Sequence, residues 1–169
     1  MPAAQPQGHG LSDIFLHIQT KRAGKLKGEV ATTGHADDIH VNGWHWGLSA
    51  GSALGDTQAT SRRQYTALTL HKGIDQATTA LMAALATNDE VKEAKLTMRR
   101  AGGVQEDFFI VTLKGARITS VQHEVTADAA AREVLTLAFT EVEVEYRPQR
   151  SSGGRGGSTI FTDSLPTRA

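Results

Sequence analysis

Residues 134–148 read VLTLAFTEVEVEYRP, and this stretch decides the fold. Leu135, Leu137 and Phe139 share one parity, whereas Val142, Val144 and Tyr146 share the other. Alternation with a period of two marks a strand with one buried face. A change of parity sends the apolar set to the opposite face, so the strand must bulge or bend where the phase breaks, near Thr140. The same event recurs in DDIHVNGWHWGLS, residues 37–49. Ile39 and Val41 are odd, Trp44, Trp46 and Leu48 are even, and Gly43 sits at the break, where no Cβ opposes a bulge. Two strongly bent strands predict a small β-barrel of two packed, bent antiparallel sheets rather than one flat sheet.

Other segments carry the same period. DIFLHIQT (13–20) places Ile14, Leu16 and Ile18 together, YTALTLHK (65–72) pairs Leu68 with Leu70, and AKLTMRR (94–100) pairs Leu96 with Met98. DFFIVTLKG (107–115) is apolar at both parities, as a strand covered on both faces would be. ARITSVQHEV (116–125) alternates more loosely through Ile118 and Val121. A single flanking helix is expected in DQATTALMAALATN, 75–88, with Leu81, Met82 and Leu85 on its packed face, Thr78 or Thr79 as N-cap and Asn88 as its stop. Lys72 and Asp75 read as turn and capping residues, and the Ser49–Gln64 segment as an extended loop.

The length fits one domain. A polar tail (1–12), a β body (13–149) and a Gly/Ser-rich C-terminal tail (150–169) are expected. Eighteen basic residues cancel eighteen acidic ones, which gives nucleic acid and anionic membranes no electrostatic handle. No apolar run reaches the ~20 residues of a spanning helix, and the first dozen residues lack the charged start and apolar stretch of a signal peptide. Zero cysteines remove disulfides, thiolate metal sites and cysteine nucleophiles, which suits a protein made in the cytosol and later exported.

Motifs for chemistry are absent. There is no GxSxG elbow, and GGRGGS lacks the Lys-Ser/Thr ending of a phosphate loop. His35, His40 and His45 are spaced by five, which puts His40 on the opposite strand face, whereas a metal site needs ligands that converge. No catalytic, cofactor or metal site is expected. Trp44 and Trp46 read as core, with His45 between them facing the other way. Glu141, Glu143 and Glu145 form one charged face opposite Val142, Val144 and Tyr146.

Four stretches together resemble the haemolysin-coregulated protein (Hcp) family, the inner-tube proteins of type VI secretion systems. They are KLKGEVATTGHADDIHVNGWHWGLS, LTLHKGIDQATTALMAAL, AKLTMRRAGG followed by DFFIVTLKGARITSV, and LTLAFTEVEVEYRPQ. Their order and spacing cover about Asp13 to Gln149. The Ser49–Gln64 segment matches only in position, and the C-terminal tail is longer and richer in glycine than the family pattern.

The resemblance implies an assembly protein without an active site: a homohexameric ring, stacked into a hollow tube. Its implied partners are the spike, sheath and baseplate proteins of the type VI machine and the secreted effectors held in the lumen, with no nucleic acid and no membrane insertion. It also implies assembly in the cytoplasm and then secretion through the machine, without a signal peptide. His45 is the candidate lumen residue. Leu54, Asp56, Arg62 and Arg63 are candidates for ring stacking. Glu141, Glu143 and Glu145 are candidates for inter-subunit charge pairing with Arg99 and Arg100, or with Arg62 and Arg63. A phage-like tail-tube protein is the main alternative, and a ligand-binding or hydrolytic barrel a weaker one.

Overall fold

The computed structural model describes residues 12–58, 62–100, 105–148 and 157–166. The expected N-terminal tail, apart from Ser12, and the Gly/Ser run 150–156 lie outside the described residues. Within them, twelve strands and one helix follow the chain.

Sheet A is built on β1 (Asp13–Thr20) and β8 (Val91–Arg99), which pair antiparallel. The far edge of β1 carries β2 (Gly24–Lys25) and β3 (Ile39–Val41). Beyond β8 come the first half of β9 (Asp107–Val125), then β11 (Glu141–Tyr146) and β12 (Thr159–Ser164). Sheet B holds β4 (Gly43–His45), β7 (Leu68–Lys72), β10 (Ala131–Ala138) and the second half of β9. A separate two-stranded ladder pairs β5 (Leu48–Ser49) with β6 (Gln64–Tyr65).

The two sheets are joined on one side by β9 and on the other by the β3–β4 bend. The core lies between them, with Leu16, Ile18, Leu70, Leu96, Val111, Leu113, Leu135 and Leu137 essentially inaccessible. The 107–115 and 116–125 stretches, two readings in the sequence, are one 19-residue strand. The strand changes its buried parity at Gly115, from Val111 and Leu113 to Ala116 and Ile118. Gly115 takes φ +54°, and a Cβ there would lie 2.2 Å from Thr140 Oγ1. Thr140 is the expected phase break: it separates β10 from β11, and both its N–H and its hydroxyl donate to the Lys114 carbonyl at 3.2 Å. The two strands therefore change sheet at one shared point. The other break falls at Asn42 rather than Gly43; the Asn42 N–H donates to the His71 carbonyl at 2.7 Å and ties the bend to β7.

Sheet A is covered on its outer face by the 26–38 segment, which explains the doubly apolar reading of β9. This segment folds back on itself through Gly28 N–H to the Asp37 carbonyl and Val30 N–H to the Asp38 carbonyl. A Cβ on Gly28 would meet the Asp38 carbonyl oxygen at 2.3 Å. The segment lays His35 flat on Phe15, ring centroids 4.4 Å apart. Beneath it Phe15, Thr97, Ile110 and Thr112 are buried on the side of the sheet away from the core.

Helix α1 (Ala77–Ala86) buries Ala77, Thr78, Leu81 and Ala84. Met82 and Leu85, expected on the packed face, are exposed, because alanines at helical spacing bring the backbone close to β9. The N-terminal cap is also reassigned. Asp75 Oδ1 accepts from Ala77 N–H at 2.9 Å, while Thr78 Oγ1 accepts from Asp75 N–H at 3.0 Å, a reciprocal cap. Asn88 ends the helix as expected: at φ +53° it is the left-handed residue of a Schellman turn, with Asp89 N–H donating to the Ala84 carbonyl.

Lys72 and Glu133, cross-strand partners on the inner face of sheet B, are both buried. They are ion-paired, and Thr78 Oγ1 donates to Glu133 Oε2 at 2.8 Å while Asp75 lies 3.0 Å from Lys72 Nζ. The turn lysine of the sequence reading is thus a buried cation that joins β7, β10 and the helix start. Residues 159–164, assigned to a tail in the sequence reading, are strand β12. Trp44 and Trp46 are only partly buried, against the edge of the core, where Trp44 stacks on Phe109 and Trp46 on Tyr65.

Gly115→Ala is expected to cost about 1–2 kcal/mol from the left-handed backbone alone, and more because the methyl meets Thr140. Thr140→Ala relieves only that collision. Denaturant melts of the four proteins should therefore show the double variant less destabilised than the sum of the singles; strict additivity would remove the contact.

Candidate functional site

The outward face of sheet B has two central rows of side chains, flanked by Arg132 with Glu124 at one end and by Ala138 with Arg117 at the other. Register places His45, Thr69, Thr136 and Ser120 in one row, and Gly43, His71, Val134 and Gln122 in the next. Neither row contains a carboxylate, lysine or arginine. His45 is exposed, as expected, and its ring stacks on His71 at 5.5 Å. The intervening row (Trp44, Leu70, Leu135 and Val121) faces the core. Both edges of this sheet are open. Pairing of β8 with β9 ends at Ala116, so Arg117–Val125 is bonded to β10 alone. At the other end β4 pairs only with β7. Among the described residues no strand covers either edge.

The loop between β5 and β6 carries the four candidates of the sequence reading. Leu54, Asp56 and Arg62 are exposed, Leu54 completely. Arg63 is not free: its guanidinium makes two bonds to Asp163 on β12, Nε to Oδ2 at 2.5 Å and a terminal nitrogen to Oδ1 at 2.8 Å, and a third to the Ser164 carbonyl. Tyr65 OH donates to the same carboxylate at 2.8 Å. These bonds, Arg63 first, hold the Asp163 carboxyl down at about 2. Burial and the bond to Asp163 push the Tyr65 hydroxyl up to about 12.

The charged face of β11 divides. Glu145 is bound by Arg147 at 2.9 and 3.2 Å, which holds its carboxyl below the ordinary range. Glu141 and Glu143 have no ion pair among the described residues. Of the expected arginine partners, Arg63, Arg99 and Arg100 are engaged within the chain, whereas Arg62 is exposed. Arg99 pairs with Asp107 at 3.1 Å and reaches over Phe15, while Arg100 lies 4.5 Å over Phe108. Asp107 also faces His35 Nε2 at 3.1 Å, and Asp38 faces His35 Nδ1 at 3.0 Å. His35 therefore fastens the 26–38 segment to sheet A, His40 is exposed on β3 and His45 sits on sheet B. Among the described residues no group of three or more possible ligands is placed to hold a metal. Among the described residues no helix is long and apolar enough to cross a membrane.

The Asp163 assignment can be tested by carboxyl NMR. Its stabilising contribution is present above the ordinary aspartate pKa of about 3.9 and is lost as pH falls through the folded value of about 2. A titration midpoint near 2 is expected, rising toward 3.9 in Arg63→Ala; an ordinary midpoint in the parent protein would dissolve the cluster.

Comparison with known proteins places this geometry in a family. A family model described as type VI secretion system effector, Hcp, matches residues 15–146. Protein hcp1 of Pseudomonas aeruginosa is 33% identical over 152 residues, covering 88% of this chain and 91% of its own length. Among solved structures, a type six secretion system protein superposes with a TM-score of 0.81 at 22% identity, over 92% of this chain and 96% of that one. Hcp1 from Salmonella typhimurium gives 0.72 at 26% identity, over 91% and 94%. With the family model spanning nearly all of the β body, the chain belongs to the Hcp family of type VI secretion proteins.

Proposed function

We propose that this chain is the subunit of a type VI tail tube: copies join head to tail in hexameric rings, and the rings stack into a hollow tube. The tube assembles in the cytoplasm and is expelled when the sheath contracts. The reading makes the protein a structural element rather than an enzyme. One observation carries it: sheet B, four strands wide, ends in two unlike, unpaired edges, β4 and Arg117–Val125. Unpaired strand edges are donors and acceptors in search of a partner. Two different edges favour a heterologous contact, which makes a ring when its rotation closes.

In such a ring the outward rows of sheet B line the lumen. The two central rows offer hydrogen bonds from serine, threonine, histidine and glutamine without fixed charge, with Arg132, Glu124 and Arg117 confined to the ends, a surface suited to holding effectors of varied sequence. The β5–β6 loop, with Leu54, Asp56 and Arg62 exposed, meets the next ring. Glu141 and Glu143 are the acidic groups left for neighbouring copies, and Arg62 is an exposed basic group for such a contact. Spike, sheath and baseplate proteins are the remaining partners of the reading.

Negative-stain microscopy and mass photometry of the purified protein should reveal rings; a monomer at every concentration would overturn the reading. His45→Glu should leave rings intact and change the amount of effector that co-purifies. Unaltered retention would take His45 out of the lumen.

A further inference from the structure

The β5–β6 ladder has only two residue pairs, Leu48 with Tyr65 and Ser49 with Gln64, and it belongs to neither main sheet. A two-stranded ladder of that length does not hold itself in water. At its foot the Thr66 N–H donates to the Gly47 carbonyl at 3.0 Å and the Gly47 N–H to Thr66 Oγ1 at 2.7 Å, so the ladder hangs from the chain that leads into β4 and β7. Further hold comes from outside it. One anchor is the ring cluster in which Trp46 stacks on Tyr65 at 5.7 Å and both meet Phe139 edge-on. The other is Asp163, one hundred residues away along the chain from Arg63.

Strand β12 explains itself poorly as a core element. Five of its six residues are exposed, including Ile160 and Phe161, and Asp163 alone is half-buried. That one carboxylate accepts from Arg63 twice, from Tyr65 OH, and from the Ser164 N–H at 2.9 Å. A paired, charge-assisted arginine–carboxylate contact fixes direction as well as distance, unlike a single surface ion pair. The strand itself is held in register by β11 and by Leu165 N–H donating to the Thr140 carbonyl at 2.7 Å. A rigid path thus runs from the Gly115–Thr140 bend through β12 to the foot of the loop.

We infer that β12 is a positioning element for the ring-stacking loop, and that Asp163 aims the loop at a second copy of this chain in the next ring. The inference rests on the tube reading for its partner, but the clamp is a property of the single subunit. Arg63 acts toward Asp163 in this arrangement, which leaves the exposed Leu54, Asp56 and Arg62 as the candidates to meet the neighbour.

Two measurements test it. In Asp163→Asn, hydrogen exchange at residues 47–49 and 64–66 should accelerate at least several-fold, while the amides of β8 and β9 keep their protection. Unchanged exchange at the loop foot would overturn the clamp. In the second arm, Arg63→Asp and Asp163→Arg should each form rings as the parent does but several-fold fewer stacked tubes. The double swap R63D/D163R should restore stacking. Normal stacking in both single variants would overturn the positioning role, as would a swap that fails to restore it, since Arg63 would then touch the next ring directly. A parent protein that never stacks would refute the tube reading and with it the role toward a neighbour, while the exchange arm would still decide the clamp.

Discussion

Two strands of this molecule must leave one sheet and enter the other, and they do so against each other. Gly115 in β9 and Thr140 between β10 and β11 occupy the same point, so close that only glycine fits opposite the threonine hydroxyl. The Lys114 carbonyl receives both Thr140 donors, which keeps the backbone satisfied through the bend. Everything downstream depends on that register. It turns Val142 inward on sheet A after Leu135 and Leu137 have faced inward on sheet B, and it leaves Arg117–Val125 projecting past β8 with one edge bare.

Much of this was legible in residues 134–148, because a parity change is a geometric statement that packing cannot ignore. The second parity change was visible too, but its position was displaced by one residue. Glycine at 43 suggested the break, whereas the hydrogen bond from Asn42 to His71 decides it, and that partner lies on a strand whose pairing no local pattern shows. The helix shows a similar limit. Leu81, Met82 and Leu85 looked like one face, but Ala77 and Ala84 permit a closer approach and take the buried positions with Leu81. Periodicity weighs large side chains; close packing can prefer small ones.

The charged residues were harder still. Lys72 reads as a turn lysine beside Asp75, and nothing near it in sequence announces Glu133. Only the β7–β10 register brings the two together, inside the barrel end, where each would be costly alone. Arg99 and Arg63 were candidates for a neighbour's carboxylates, yet Asp107 and Asp163 reach them first. Asp163 did leave a trace: it is the single acidic residue in an otherwise basic C-terminal segment, two residues after the adjacent Ile160 and Phe161 of TIFTDS. Composition hid it, because a Gly/Ser run directly before it reads as the end of the ordered body.

On the proposed tube reading, the bare stretch of β9 is what a lone copy presents before assembly. An open edge nine residues long invites any extended chain, and apolar edges of that kind seed fibrils. This one carries Arg117, Thr119, Ser120, Gln122, His123 and Glu124. Mixed charge and hydroxyls discourage indiscriminate annealing while leaving the main-chain groups available to a shape-matched mate. If copies join as proposed, such an edge lets a newly made subunit wait without drifting into amyloid until a shape-matched mate reaches it.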